Sequence, residues 1–140
     1  MGIVVREATV RALLPNDVEA VYRIAAQNGL LRWEWPKGSH GAVAVIDGEI
    51  VAFCAAREIL TGLVVDEFWP ERSERGIRGL LMLGKWAEQL TARLGAERGE
   101  DLNCGGIVAN NLTQHAAALI KHGYEPKAVV YAKVISREAL

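Results

Sequence analysis

The stretch Val65-Asp66-Glu67-Phe68-Trp69-Pro70-Glu71-Arg72-Ser73-Glu74-Arg75-Gly76-Ile77-Arg78-Gly79 decides how this chain folds. It begins as the end of an apolar strand, predicted over about 60–68. Pro70 has no N–H to give to a ladder and marks the strand's end. A loop rich in charge and glycine follows. Beyond it Ile77, Leu80, Leu81, Gly84, Ala87, Leu90 and Leu94 recur at near-helical spacing, which predicts a helix over about 77–94, stopped by Gly95. A strand that runs through a loop into a helix is suited to an anion, because the first helical N–H groups have no partner and the dipole adds positive potential. Gly76 and Gly79 let a backbone come close to a phosphate, and Arg72, Arg75 and Arg78 add charge. Two readings fit: a pyrophosphate cradle, or a charged surface turn. The spacing is neither that of a P-loop nor Gly-x-Gly-x-x-Gly.

Outward from this stretch the elements alternate in type. Residues 3–10 predict a strand. Leu14-Pro15-Asn16-Asp17 predicts a helix start capped by Asn16, with Val18, Val21, Tyr22 and Ala25 sharing one face and Gly29 as the stop. Residues 30–40 show no period. Ala42–Ile46 and Glu49–Glu58 flank Asp47-Gly48, a strong hairpin signal because both turn positions need positive φ. Residues 102–109 predict a strand. A helix opens at Asn110-Asn111 and stops at Gly123, and residues 126–136 predict a last strand. The order β-α-β-β-β-α-β-α-β predicts one mixed α/β (α+β) domain over residues 1–140. Its sheet is twisted, mostly antiparallel, of about six strands, and flanked by helices. The β-α-β segment from 60 to 109 makes its two strands parallel neighbours.

The totals limit function. At 140 residues and 51% apolar composition, the chain can bury a core without a metal or a disulfide. A formal net charge of −1 disfavours a nucleic-acid partner. Cys54 and Cys104 lie in apolar strand-like stretches and read as reduced thiols; no spacing suggests a metal site. The chain shows no basic-then-apolar leader and no apolar run near the ~18 residues that cross a bilayer, so the expectation is a cytoplasmic protein with no membrane partner.

The sequence resembles the GNAT superfamily of acyl-CoA N-acyltransferases from residue 3 to residue 136. Val5-Arg6-Glu7-Ala8-Thr9 with Pro15-Asn16-Asp17 is similar to that family's first strand and helix start. Ile46-Asp47-Gly48-Glu49-Ile50-Val51-Ala52-Phe53 is similar to its hairpin, and Val65 to Gly79 to its strand and acyl-CoA loop. Trp86-Ala87 and Lys121-His122-Gly123-Tyr124 resemble further signatures, and the ending Ala132-Lys133-Val134-Ile135 resembles the short phage-encoded versions. The loop pattern Gln/Arg-x-x-Gly-x-Gly/Ala is displaced here. With Gly76 as the first glycine, Ser73 stands at Gln/Arg and Arg78 at the second glycine. With Gly79 first, Gly76 and Leu81 stand there.

The resemblance implies a role for particular residues. Acetyl-CoA is the co-substrate. Its pyrophosphate lies on the backbone of Glu74, Arg75, Gly76, Ile77, Arg78 and Gly79, with Arg75 and Arg78 as side-chain helpers. Phe68 and Trp69 offer backbone to the pantetheine arm, with residues 107–109 as the opposite wall. Asn111 either contacts the cofactor or only caps its helix. The reaction is attack of a primary amine, on a small molecule or a protein, on the thioester, helped by a carboxylate base. Asp66 and Glu67 are the candidates, and strand alternation puts them on opposite faces, so that one faces the cleft. A tyrosine near residues 118–120 would protonate the thiolate; Ala118, Leu119 and Ile120 stand there, leaving Tyr124 downstream as the candidate acid. Trp33 and Trp35 form an aromatic wall for the acceptor, or else cover the sheet edge or a homodimer face. The rival function is a non-catalytic module of the same fold that binds CoA or a protein partner in a regulatory role.

Overall fold

The computed structural model describes residues 7–30, 39–106, 117 and 120–123. The chain divides into two compact units, residues 1–107 and 108–140. In the first, β1 (Ala8–Ala12) leads through a 3-10 turn (Pro15–Asp17) into α1 (Val18–Gln27), then β2 (His40–Ile46), β3 (Glu49–Ile59), β4 (Gly62–Pro70), α2 (Glu74–Arg98) and β5 (Asn103–Gly106). The strands lie in the order β1-β2-β3-β4-β5, antiparallel except for the parallel pair β4–β5. In the second unit Ala117, Ile120 and Lys121 are helical, and the Gly123 amide closes a turn onto the Ile120 carbonyl at 3.1 Å with Gly123 at φ 89°. The mixed, mostly antiparallel sheet with flanking helices is the expected class. Five strands are described, and the sixth expected, over 126–136, lies outside the described residues.

Alternation along the strands feeds two cores. Ala42, Ala44, Cys54, Ala56, Leu63 and Val65 pack with Leu83, Ala87 and Leu94 of α2. On the opposite face Val43 and Phe53 pack with Val21, Ile24 and Ala25 of α1. The hairpin turn is the predicted one, with Asp47 at φ 51° and Gly48 at φ 81°. Desolvation in the core pushes the Cys54 thiol up to about 12, so it stays protonated and inert.

Four local expectations need correction. Asn16 does not cap the first helix. Instead the buried Asp17 carboxylate accepts the Leu14 amide at 2.7 Å and both terminal nitrogens of Arg11 at 2.6 and 2.9 Å. The Arg11 guanidinium holds the Asp17 carboxyl below its ordinary range. Val18 and Tyr22 are exposed, because the buried stripe of α1 runs through Val21, Ile24 and Ala25. Ile77 and Leu81 are likewise about half exposed, since the inner face of α2 runs through Gly76, Gly79, Leu80, Leu83 and Ala87.

Finally, Gly95 does not end α2, which continues to Arg98 and terminates at Gly99 in the left-handed region. Gly95 serves instead for close approach: a Cβ there would lie 2.6 Å from the Glu100 carbonyl oxygen. The same need governs Gly79, whose added Cβ would meet Val51 Cγ2 at 2.7 Å and the Cβ atoms of Ala44 and Ala52 at 3.1 and 3.2 Å. Gly84 is different, with Phe68 Cζ no nearer than 3.9 Å. Gly79→Ala should lower stability by about 1–3 kcal/mol through overpacking, while Gly84→Ala should raise it by up to about 1 kcal/mol through helix propensity. Urea unfolding of the two variants checks the opposite signs.

Candidate active site

The loop between β4 and α2 is built around Glu71. Its side chain is about nine-tenths buried, and its amide continues the sheet by bonding the Val51 carbonyl at 2.7 Å. The carboxylate accepts Ser73 Oγ at 2.7 Å, Arg75 Nε at 2.8 Å, Arg75 Nη2 at 3.0 Å and Arg23 Nη1 at 3.1 Å. These donors, Arg75 foremost, hold its carboxyl at about 2. Two side chains of α1 and that of its C-cap residue Asn28 pin the loop from outside. Arg23 reaches Glu71, Gln27 Oε1 accepts the Arg72 amide at 3.1 Å, and Asn28 Nδ2 donates to the Pro70 carbonyl at 2.8 Å.

This arrangement redefines the loop residues expected to hold a pyrophosphate. Arg75 spends its guanidinium on Glu71 and, at 2.7 Å, on Glu49. Its charge is matched within the protein. Gly76 packs against the loop, where a Cβ would fall 1.9 Å from the Glu71 carbonyl oxygen, and its amide donates to the Ser73 cap at 3.1 Å. Gly79 faces the sheet. The amides of Glu74 and Arg75 have no partner among the described residues, and Arg72 and Arg78, both exposed, have no ion pair among them. An anion at this helix start would therefore meet the amides of residues 74 and 75 and the side chains of Arg72 and Arg78.

The two carboxylates on β4 are also not where alternation puts them. β3 and β4 shift register between Ala55 and Ala56: Ala55 pairs with Glu67 and Ala56 with Val65, leaving Asp66 as the extra residue of a bulge. Leu63, Val65 and Phe68 consequently all face α2. Asp66 bonds Arg57 Nε at 2.7 Å, and Glu67 accepts the Trp69 indole N–H at 2.5 Å, with Trp69 packed in the α1-side core. Asp66 and Glu67 thus share the α1 face, which corrects the expectation that they part. They differ in partner. Asp66 is matched by a guanidinium, whereas Glu67 has a neutral donor.

Phe68 lies opposite Cys54 on the α2 side. The described β4–β5 ladder runs to the pair Val65–Gly106. Residues 107–109, Asn111, Tyr124, Trp33 and Trp35 lie outside the described residues. Glu71, Arg23, Gln27 and Asn28 were not singled out from the sequence. A glutamate directly after the strand-ending proline, with arginine four residues on, is the one local sign of the Glu71–Arg75 pair.

No family model matches the sequence, and no curated protein does. Solved structures do. A transcriptional regulator from Bacillus halodurans C-125 superposes with a TM-score of 0.71 at 15% identity, over 92% of this chain and 100% of that one. Aminoglycoside N-acetyltransferase AAC(6')-Iy in complex with CoA gives 0.65 at 13% identity, over 95% and 99% of the two chains. Ribosomal-protein-alanine N-acetyltransferase from Brucella melitensis biovar Abortus 2308 gives 0.60 at 13%, over 94% and 99%. The chain has a GNAT-like fold, and at these identities the likeness is one of fold alone.

Glu71 ties the loop to pH. Its carboxyl lies at about 2 against an ordinary 4.5, so folding favours the ionised form. The stability it contributes is complete above about pH 4.5 and is lost as pH falls towards 2. Glu71→Gln should cost about 2–3 kcal/mol at pH 7, a penalty that shrinks as pH drops through that window. Urea unfolding of both proteins between pH 3 and pH 7 provides the check.

Proposed function

We propose that the chain is an acyl-CoA-dependent N-acyltransferase, acting as one domain, that moves an acetyl group from acetyl-CoA to a primary amine by direct attack on the thioester. The observation that carries the reading is the pair of features at the two ends of one segment: a β4 carboxylate free of any cation partner among the described residues, and a helix start with unpaired amides beside two arginines. The fold it shares with a CoA-bound acetyltransferase supports the pairing of those features.

In this reading the pyrophosphate lies at the start of α2, against the amides of Glu74 and Arg75 with Arg78 and Arg72 as charged partners. The acceptor amine approaches from the α1 side of β4. Glu67 takes its proton, directly or through one water, as the nitrogen attacks the carbonyl carbon. The C–N bond forms, the C–S bond breaks, and the electron pair leaves on sulfur. The thiolate then takes a proton, for which Tyr124 is the candidate donor. Glu67 is the base rather than Asp66, because a carboxylate tied to the Arg57 guanidinium is less free to reach the amine. Trp33 and Trp35 belong to the segment proposed to shape the acceptor site, and a small-molecule or protein amine is the acceptor class.

The rival reading, a regulatory module without turnover that binds CoA or a protein partner, is favoured by the displaced loop pattern, in which Arg78 stands at the second glycine when Gly76 is taken as the first, or Leu81 when Gly79 is. Calorimetry with acetyl-CoA and CoA, followed by thiol release against an amine panel, separates the two. Acetyl-CoA should bind in the micromolar range and be consumed with an amine; binding with no consumption favours the module, and binding no tighter than millimolar sinks the enzyme reading. Arg78→Glu should weaken acetyl-CoA by about 1–3 kcal/mol without changing the melting temperature. Glu67→Gln should lower kcat at neutral pH by about 100-fold or more and leave acetyl-CoA binding intact.

A further inference from the structure

We propose that Trp69 is a positioning residue for Glu67, its indole N–H fixing one carboxylate oxygen so that the other is presented to the acceptor's proton. The inference rests on the reading of Glu67 as the base. Trp69 Nε1 donates to Glu67 Oε2 at 2.5 Å across two residues of one strand. Such i, i+2 side chains share a face of β4, and their strand is held to β3 through Trp69–Phe53 and Glu67–Ala55.

The tryptophan is itself anchored. Its ring packs against the core of Val21, Ile24, Ala25, Val43 and Phe53, so the donor's position is set by apolar packing rather than by the carboxylate. A neutral donor suits a base: it restricts the side chain, yet does not match its charge as a guanidinium would. The charged and titratable groups on the elements against this face are few. Asp66 and Arg57 satisfy each other, Arg23 of α1 is held by Glu71 and the Ile50 carbonyl, Cys104 of β5 packs against the α2-side core, and Glu19 and Tyr22 complete those of α1.

The test is Trp69→Phe, which keeps an aromatic ring and removes the N–H, set beside Glu67→Gln. In Trp69→Phe, kcat at neutral pH should fall about 3–10-fold while KM for acetyl-CoA stays within about twofold. A kcat equal to the parent's, while Glu67→Gln is slow, overturns the positioning role and leaves the base in place. If Glu67→Gln keeps full rate, or the parent turns over no amine, the base reading falls and this inference with it.

A second measurement does not need the variant to fold. In the parent labelled with 15N at its indoles, the Trp69 N–H resonance should move in Glu67→Gln, where a charged acceptor becomes a neutral one, and stay in place in Asp66→Asn. A resonance that does not move in Glu67→Gln overturns the proposal.

Discussion

A single buried carboxylate holds the functional end of this molecule together. Glu71 sits where β4 has ended and α2 has not begun, and its two oxygens take four hydrogen bonds from Ser73, Arg75 and Arg23. A carboxylate removed from water costs several kcal/mol unless donors surround it, and here they do. The arrangement reaches two helices at once: α2, through its cap and its second residue, and α1. Had position 71 been apolar, Arg75 would have kept only Glu49 and Arg23 only the Ile50 carbonyl, and the loop would have lost its charged link to α1.

The second constraint is the bulge at Asp66. One extra residue in β4 shifts the phase of every side chain beyond it. Without it Phe68 would leave the α2 core, and Asp66 and Glu67 would stand on opposite faces. With it, both carboxylates stand on the α1 side, and the neighbouring chemistry tells them apart: a guanidinium for one, an indole for the other. The bulge therefore puts two carboxylates on one face, one paired across strands with Arg57 and the other within its own strand with Trp69.

Much of this was legible in the sequence. The hairpin at Asp47-Gly48, the strand ending at Pro70 and the long helix beyond the loop are local signals, written in turn residues and in apolar spacing, and the sheet follows from their order. What was not legible depends on residues far apart in the chain. Periodicity could not place Ile77 and Leu81 outside, because a helix bearing apolar residues on two faces leaves its rotation to the sheet it meets. Gly95 reads as a stop, yet its reason is the Glu100 carbonyl returning over it. Glycine and arginine in the loop suggested a cradle made of all its residues. Packing then took Gly76 and Gly79 for contacts with the loop and the sheet, and ion pairing took Arg75. Glu71 itself carries almost no sequence signal, since nothing local says that a glutamate between proline and arginine will be buried.

The three side chains that α1 and its C-cap residue extend to Pro70, Glu71 and Arg72 have a mechanical consequence. They join the helix on one face of the sheet to the turn from which the helix on the other face springs. Neither can shift by more than a fraction of an ångström without breaking contacts that together amount to a few kcal/mol. The edge of the sheet at Pro70 is thus a stiff hinge pin rather than a flexible corner. A molecule leaning on α1 and an anion seated at the start of α2 would each load the same pin.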